Sequence, residues 1–302
     1  MITEDFKEKY CLNFFTTVFG RHRMFVLPYI TSALLSNEKA IAEIIVDNPT
    51  MIRKVHRDFL NKYFEGRWCI RGIPKQFKNK WNHTKKMKSI RWLTIPTYRT
   101  AYTYIGDIDI IILDKDIHTG HIAHAQKMKK PYSNYVRPNG QNMTGLHFVI
   151  TKPYYKVLNK AYMNKKINKI KNGSMLMKGL DERLLCRMVL PAFGGPTGVP
   201  YRPGHGMHLS LGRPIIKWSA GLNYPKIYDA NLRNHPVWVE GQQQVFDKRF
   251  MLCLKKLDEA IKIKEEDTLL GIQIQKGNLR GEALIKAKKR RRNLRNRRIK
   301  FK

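Results

Sequence analysis

Apolar positions in the first part of the chain fall into short runs whose period alternates between strand and helix. Residues 12–19, Leu-Asn-Phe-Phe-Thr-Thr-Val-Phe, are rich in β-branched and aromatic side chains and are closed by Gly20, which predicts a strand. Over 21–37 the apolar residues Phe25, Leu27, Tyr29, Ile30, Leu34 and Leu35 recur at helical spacing, with Pro28 near the start. Residues 40–46 predict a second strand, ended by Asp47-Asn48-Pro49. Strand, helix and strand with short connections form a βαβ unit and imply parallel pairing. A helix is expected over 50–65 and a short strand over 68–73. Lysines then crowd 75–88, a solvated loop or helix, and residues 91–96 lead into the next apolar run.

That run, residues 102–113, is interrupted only by Gly106, Asp107 and Asp109. Its composition predicts a strand buried on both faces in the middle of a sheet. Burying a carboxylate costs several kcal/mol unless it is paired or holds a cation, so the two aspartates need an explanation. Two positions apart on a regular strand, they share a face. At a strand mouth near Gly106 they can share one divalent ion. Hard cations such as Mn²⁺ or Mg²⁺ take such oxygen ligands and leave positions for a substrate's phosphates.

Beyond it, 117–129 predicts a helix carrying His118, His121 and His124 at i, i+3, i+6, read as surface or packing residues. Residues 141–150 predict another buried strand, opened by Asn142, Thr144 and Gly145. A lysine-studded helical stretch covers 152–178, and a helix begins after Gly179 at Asp181-Glu182. Residues 194–212 are rich in Gly, Pro and His and predict a loop, of a length that is usually functional inside a domain. An amphipathic helix is expected within 238–265. Past Gly271 the chain becomes polar and basic, and no internal repeat is evident.

Composition narrows the class. A 42% hydrophobic chain of 302 residues is globular. No apolar run is long enough to span a bilayer, and residues 1–9 mix acids with bases and lack the apolar stretch of a signal peptide. Cys11, Cys69, Cys186 and Cys253 are far apart and form no CxxC pair, which argues against zinc and disulfides and for a reducing cytosol. The formal charge is +35; the eleven Lys and Arg of 286–302 supply under a third of it, so the body is basic too. Such a field draws phosphates of any origin.

Several residues could act on a phosphorylated ligand. Asn142, Thr144 and Gly145 place amide, hydroxyl and open backbone at a strand entry. Asp181 and Glu182 either cap their helix or act as catalytic or acceptor-orienting carboxylates. His205 and His208, in the Gly/Pro-rich loop, are candidates to complete the aspartate site, and Arg213 suits a diphosphate.

Taken in order, the N-terminal βαβ, Asp107-x-Asp109, Thr144-Gly-Leu-His-Phe148, Asp181-Glu182 and the His-containing glycine loop resemble the GT-A class of nucleotide-sugar glycosyltransferases. Within that class the pattern is similar to the glycogenin and lipopolysaccharide galactosyltransferase group. The resemblance covers roughly 12–215. It implies an α/β, Rossmann-like mixed sheet with flanking helices, over 1–270, with 271–302 a basic extension, helical or disordered. It further implies that Asp107 and Asp109 bind Mn²⁺ (or Mg²⁺) and the donor diphosphate. A histidine near Gly212, Arg213 and Pro214, either His205 or His208, would add a ligand. Thr17, Val18 and Phe19 would hold the nucleotide base, and Asn142, Thr144, Gly145 and Arg213 the donor. The expected activity is hexosyl transfer from a nucleotide sugar to a glycan or glycolipid hydroxyl.

Two rivals carry part of the same signal. A nucleotidyltransferase palm also bears Asp-x-Asp, but 85–105 lacks the Gly-Ser turn of that class. A nucleic-acid-binding protein would explain the charge, yet no helix-turn-helix, zinc or RNP-type motif accompanies it, so no specific nucleic acid is expected. The tail from 286 to 302, with sparse apolar residues among its bases, is expected either to be a solvated extension or to adsorb to an anionic membrane surface, placing a cytoplasmic protein peripherally on the membrane.

Overall fold

The computed structural model describes residues 9–77, 84–137, 142–172, 181–195, 203–209, 224–275 and 279–296. In chain order these form β1 (Leu12–Val18), α1 (Val26–Ser36), β2 (Ala40–Val46), α2 (Lys54–Phe64), β3 (Trp68–Gly72), α3 (Thr84–Leu93), β4 (Tyr102–Ile105) and β5 (Ile110–Ile112). There follow α4 (Ile117–Met128), β6 (Tyr132–Ser133), β7 (His147–Ile150), α5 (Thr151–Val157), α6 (Lys160–Lys171), α7 (Asp181–Phe193) and β8 (Gly206–His208). The C-terminal part is helical: α8 (Tyr224–Tyr228), α9 (Pro236–Gln244), α10 (Lys248–Gln275) and α11 (Gly281–Asn296). No helix among the described residues is long and apolar enough to cross a membrane.

The protein is α/β, with a six-stranded mixed sheet in the order β3-β2-β1-β4-β7-β6. β1, β2, β3 and β4 run parallel, β7 is antiparallel to β4, and β6 is antiparallel to β7. Alternation along the central strands feeds two cores. Phe14, Ile44 and Tyr104 face α1 and the C-terminal helices with Trp238 and Phe250. Their neighbours Phe15, Ile45 and Ile105 face α3, α6 and α7 with Trp92, Met163 and Leu185. β1 and β2 are buried at every position, so both of their faces are predominantly apolar and their polar members Asn13, Thr16, Thr17 and Glu43 are buried too.

The run 102–113 is not one central strand. β4 leaves the sheet after Ile105, and β5 pairs with β8 in a separate two-stranded sheet. Asp107 and Asp109 lie in the link, so strand alternation is not what brings them together. The break has a polar cause: the Gly106 carbonyl accepts from the Thr16 hydroxyl (2.7 Å) and the Arg91 guanidinium (2.7 Å). Elsewhere, the stretch expected as one helix over 152–178 breaks at Leu158, where Asn159 caps α6 by accepting from the Tyr162 N–H. Of the strand expected over 141–150, only its last four residues enter the sheet. The loop expected over 194–212 contains β8, and its residues 196–202 and 210–212 lie outside the described residues. His121 and His124 are packing residues, both bonded to the Ser133 hydroxyl (2.7 and 2.9 Å).

A buried carboxylate in β2 steers the chain toward the link. Glu43 is fully buried and accepts from Arg71 (2.7 Å), Asn13 (3.2 Å) and the backbone N–H groups of Thr97 (2.9 Å) and Tyr98 (3.1 Å). The last two fix the segment that enters β4. In β7, His147 is also fully buried, between Asn134 (2.9 Å) and the Tyr154 hydroxyl (3.1 Å). Burial pushes its pKa down to about 3. Unfolded, the same imidazole binds a proton near pH 6.5, so stability should be lost as pH falls from there toward 3, at roughly 1.4 kcal/mol per pH unit. His147→Gln should flatten that part of the slope in urea titrations across pH; an unchanged slope would assign it to other groups.

Candidate active site

The site forms where the parallel strands end. β4 pairs with β1 only over Leu12 to Phe15, so beyond Ile105 a gap opens beside the last residues of β1. Open α/β sheets bind ligands in such crevices outside the carboxyl ends of their strands. The 106–109 link fills part of this gap, and β8 adds the remaining piece through its pairing with β5. Gly206 makes that pairing possible. Its φ is +150°, and a Cβ there would lie 2.0 Å from the Ile111 carbonyl oxygen. With Ile110 opposite His208 in the ladder, the imidazole is set beside the aspartates.

Asp107, Asp109 and His208 present ligand atoms that all lie within 4.8 Å of one another. His208 Nε2 is 2.9 Å from Asp109 Oδ1 and 3.9 Å from Asp107 Oδ2. Asp109 is the enclosed member, its side chain 12% exposed, whereas that of Asp107 is 30% exposed. Burial alone would raise the Asp109 carboxyl; the adjoining His208 and, more weakly, His22 outweigh it and hold the carboxyl below its usual range. Two carboxylates and an imidazole at this separation are a donor set that fits a divalent cation.

Arg91, at the end of α3, ties this cluster to a second pair of acids. Its buried guanidinium donates to Asp107 Oδ1 (2.5 Å) and to Asp181 Oδ2 (2.5 Å), and it lies 4.5 Å from the Trp92 ring. Burial would lower its pKa, but the two carboxylates prevail and hold it above the ordinary arginine range. Asp107 thereby keeps Oδ1 on Arg91 and turns Oδ2 toward His208. Glu182 is held by Arg137 (2.8 Å), and burial raises its carboxyl despite that partner. Gly145 joins the parts: a Cβ there would stand 3.2 Å from Asp107 Oδ2, 3.3 Å from Arg91 Nη2 and 3.5 Å from Glu182 Oε1. Any larger residue would fill the space these charged groups share.

The other sequence candidates are distributed unevenly. Thr17 and Phe19 flank the end of β1, but the Val18 side chain is buried in the core, and its carbonyl accepts from the Asp47 N–H. The Thr144 hydroxyl donates to Asn134 and so shapes the turn before β7. His205 precedes β8 and packs against Tyr104, outside the three-residue cluster. Arg213 lies outside the described residues. Thr17 Oγ1, Asn142 Oδ1 and Glu182 Oε2 are buried without a hydrogen-bond partner among the described residues. Sequence reasoning missed Arg91 and His22. For Arg91 a signal existed: it is the one charge in the apolar stretch Ile90-Arg91-Trp92-Leu93. His22 sits on the two turns of 3-10 helix after β1, its ring between Phe19 and Phe25, and nothing local marks it.

No family model and no curated protein matches the chain by sequence. Among solved structures it is similar to the glycosyltransferase GlyE of Streptococcus pneumoniae TIGR4 at 12% identity and TM-score 0.44, over 62% of this chain and 44% of GlyE. The chain thus spans less than half the length of that protein. It is also similar to the galactosyltransferase LgtC, solved with donor and acceptor sugar analogs, at 10% identity and TM-score 0.45, over 76% of this chain and 99% of LgtC. Mouse xyloside xylosyltransferase 1 gives 10% identity and TM-score 0.35, over 74% and 93%. These are likenesses of fold outline to glycosyltransferases, and the chemistry of the site is read from its own residues.

Proposed function

We propose that the protein is a metal-dependent glycosyltransferase that moves a hexose from a nucleoside diphosphate to a hydroxyl of a glycan or lipid-linked acceptor. The observation that carries this reading is the convergence of Asp107, Asp109 and His208 at the strand ends, beside the space left by Gly145. The mixed oxygen and nitrogen donor set suits Mn²⁺ better than Mg²⁺, which favours oxygen ligands alone. When bound, the ion would supply positive charge against the diphosphate leaving group.

The chain's own residues supply the rest. Arg91 fixes the Asp107 carboxylate in one orientation, so little reorganisation is needed when charge develops on the donor. Gly145 admits the donor close to Asp107 and Arg91. Thr17 and Phe19, at the end of β1, would contact the nucleotide base, with Val18 contributing only backbone. Asp181 positions Arg91. Glu182 turns Oε1, shared with Arg137, toward the same space, and its raised carboxyl suits it to orient the acceptor hydroxyl or to meet the anomeric centre. Asn142 and Arg213 would complete the donor contacts.

A panel of nucleotide sugars, each incubated with Mn²⁺ and without acceptor, tests the reading. Slow release of nucleoside diphosphate from one donor, abolished by chelator, is expected. Pyrophosphate release from nucleoside triphosphates would indicate nucleotidyl transfer instead. No turnover of any donor would overturn the proposal.

A further inference from the structure

Residues 281–296 of the basic C-terminal end form one arm of a helical hairpin, and the two faces of this arm have different jobs. α11 folds back on α10: Arg290 pairs with Glu266, and Arg291 with Asp267 at 2.7 Å. The helices approach closely at Gly271, where a Cβ would stand 2.6 Å from the Arg291 guanidinium. The stripe Leu284, Ala287, Arg291 and Leu294 is buried or half-buried against this partner. Arg290 and Arg291 therefore spend their charge inside the hairpin.

The other stripe makes no ion pair among the described residues. Ile285, Lys288, Lys289 and Arg292 stand at i, i+3, i+4 and i+7, so they share one helical face, and all four are exposed. Ile285 is 69% exposed. Glu282 is the one acid of α11 and already meets Lys286 at 3.5 Å. Two further exposed aliphatics, Leu269 and Ile272, lie in the last two turns of α10, near the end where the helices join.

We infer that this hairpin docks on an anionic lipid bilayer through the Ile285–Lys288–Lys289–Arg292 stripe. Charge complementarity requires an anionic partner. The aliphatic residues select lipid over nucleic acid, because a branched side chain beside lysine stems inserts at the headgroup boundary, while single strands are held by aromatic stacking. Residues 279–296 contain no aromatic residue. The latch through Arg290 and Arg291 orders the stripe before contact, so docking does not require the helix to form on the membrane.

Cosedimentation of the full chain with phosphatidylcholine vesicles, with and without phosphatidylglycerol, tests the inference. Binding only to the anionic vesicles is expected. At about a fivefold loss per basic residue, K288Q/K289Q/R292Q should weaken it on the order of a hundredfold. Ile285→Asn should weaken it several-fold even at high salt, where the charge contribution is screened. Unchanged thermal unfolding of both variants would show that the hairpin is intact. Wild-type-like vesicle binding by the triple variant, equal binding of the wild type to neutral vesicles, or binding to RNA but not to vesicles would each overturn the inference.

Discussion

Asp109→Ala should lower Mn²⁺-dependent donor turnover by at least about a thousandfold, since several kcal/mol of charge stabilisation depends on the ligand it removes. The enclosed carboxylate is the member of the cluster with the least solvent to replace it, and no neighbouring acid can shift into its place because Asp107 is committed to Arg91. Stability should change little. Removing Asp109 deletes the pair with His208 but also deletes the cost of keeping a carboxylate out of water, and these oppose each other. Calorimetric titration with Mn²⁺ and urea unfolding separate the two effects. A variant that binds Mn²⁺ and turns over donor as the wild type does would remove Asp109 from the site.

Arg91→Met is expected to do the opposite to stability, costing about 3–5 kcal/mol, because it leaves Asp181 and part of Asp107 without the buried cation that compensates them. The volume is nearly conserved, so packing against Trp92 changes less than the electrostatics. Adding Asp181→Asn should recover part of the loss, and a double-mutant cycle in urea measures the coupling. Turnover should fall as well, since Asp107 would lose the contact that orients it. Loss of less than about 1 kcal/mol in the single variant would mean that solvent, and not Arg91, compensates these acids.

The strands and helices of the first 70 residues were legible because each is a short run with one period and a marked end. Gly20, Pro28 and Asn48-Pro49 punctuate them, and in β1 and β2 local pattern is enough because burial is complete on both faces. The run 102–113 was misread for the same reason. Its apolar residues suit β4 and β5 equally, and only the side-chain bonds from Thr16 and Arg91 to the Gly106 carbonyl show that the chain leaves the sheet there. Asp107 and Asp109 still drew attention, since paired carboxylates in an apolar run need a reason to exist. Between His205 and His208 the residues gave no preference; the β5–β8 register places His208 beside Asp109 and leaves His205 against Tyr104.

By itself, the sequence determined the α/β class, the parallel pairing of the first strands, the acidic pair as a candidate cation site and the basic character of the C-terminal end. These depend on residue type and on spacing of a few positions, which a chain carries in one dimension. Tertiary structure decided which histidine joins the aspartates, that Arg91 links them to Asp181 across 90 residues, and that two arginines of the basic segment are consumed by its own hairpin. Such pairings are set by where buried charges find partners, and that depends on distances the linear order does not contain.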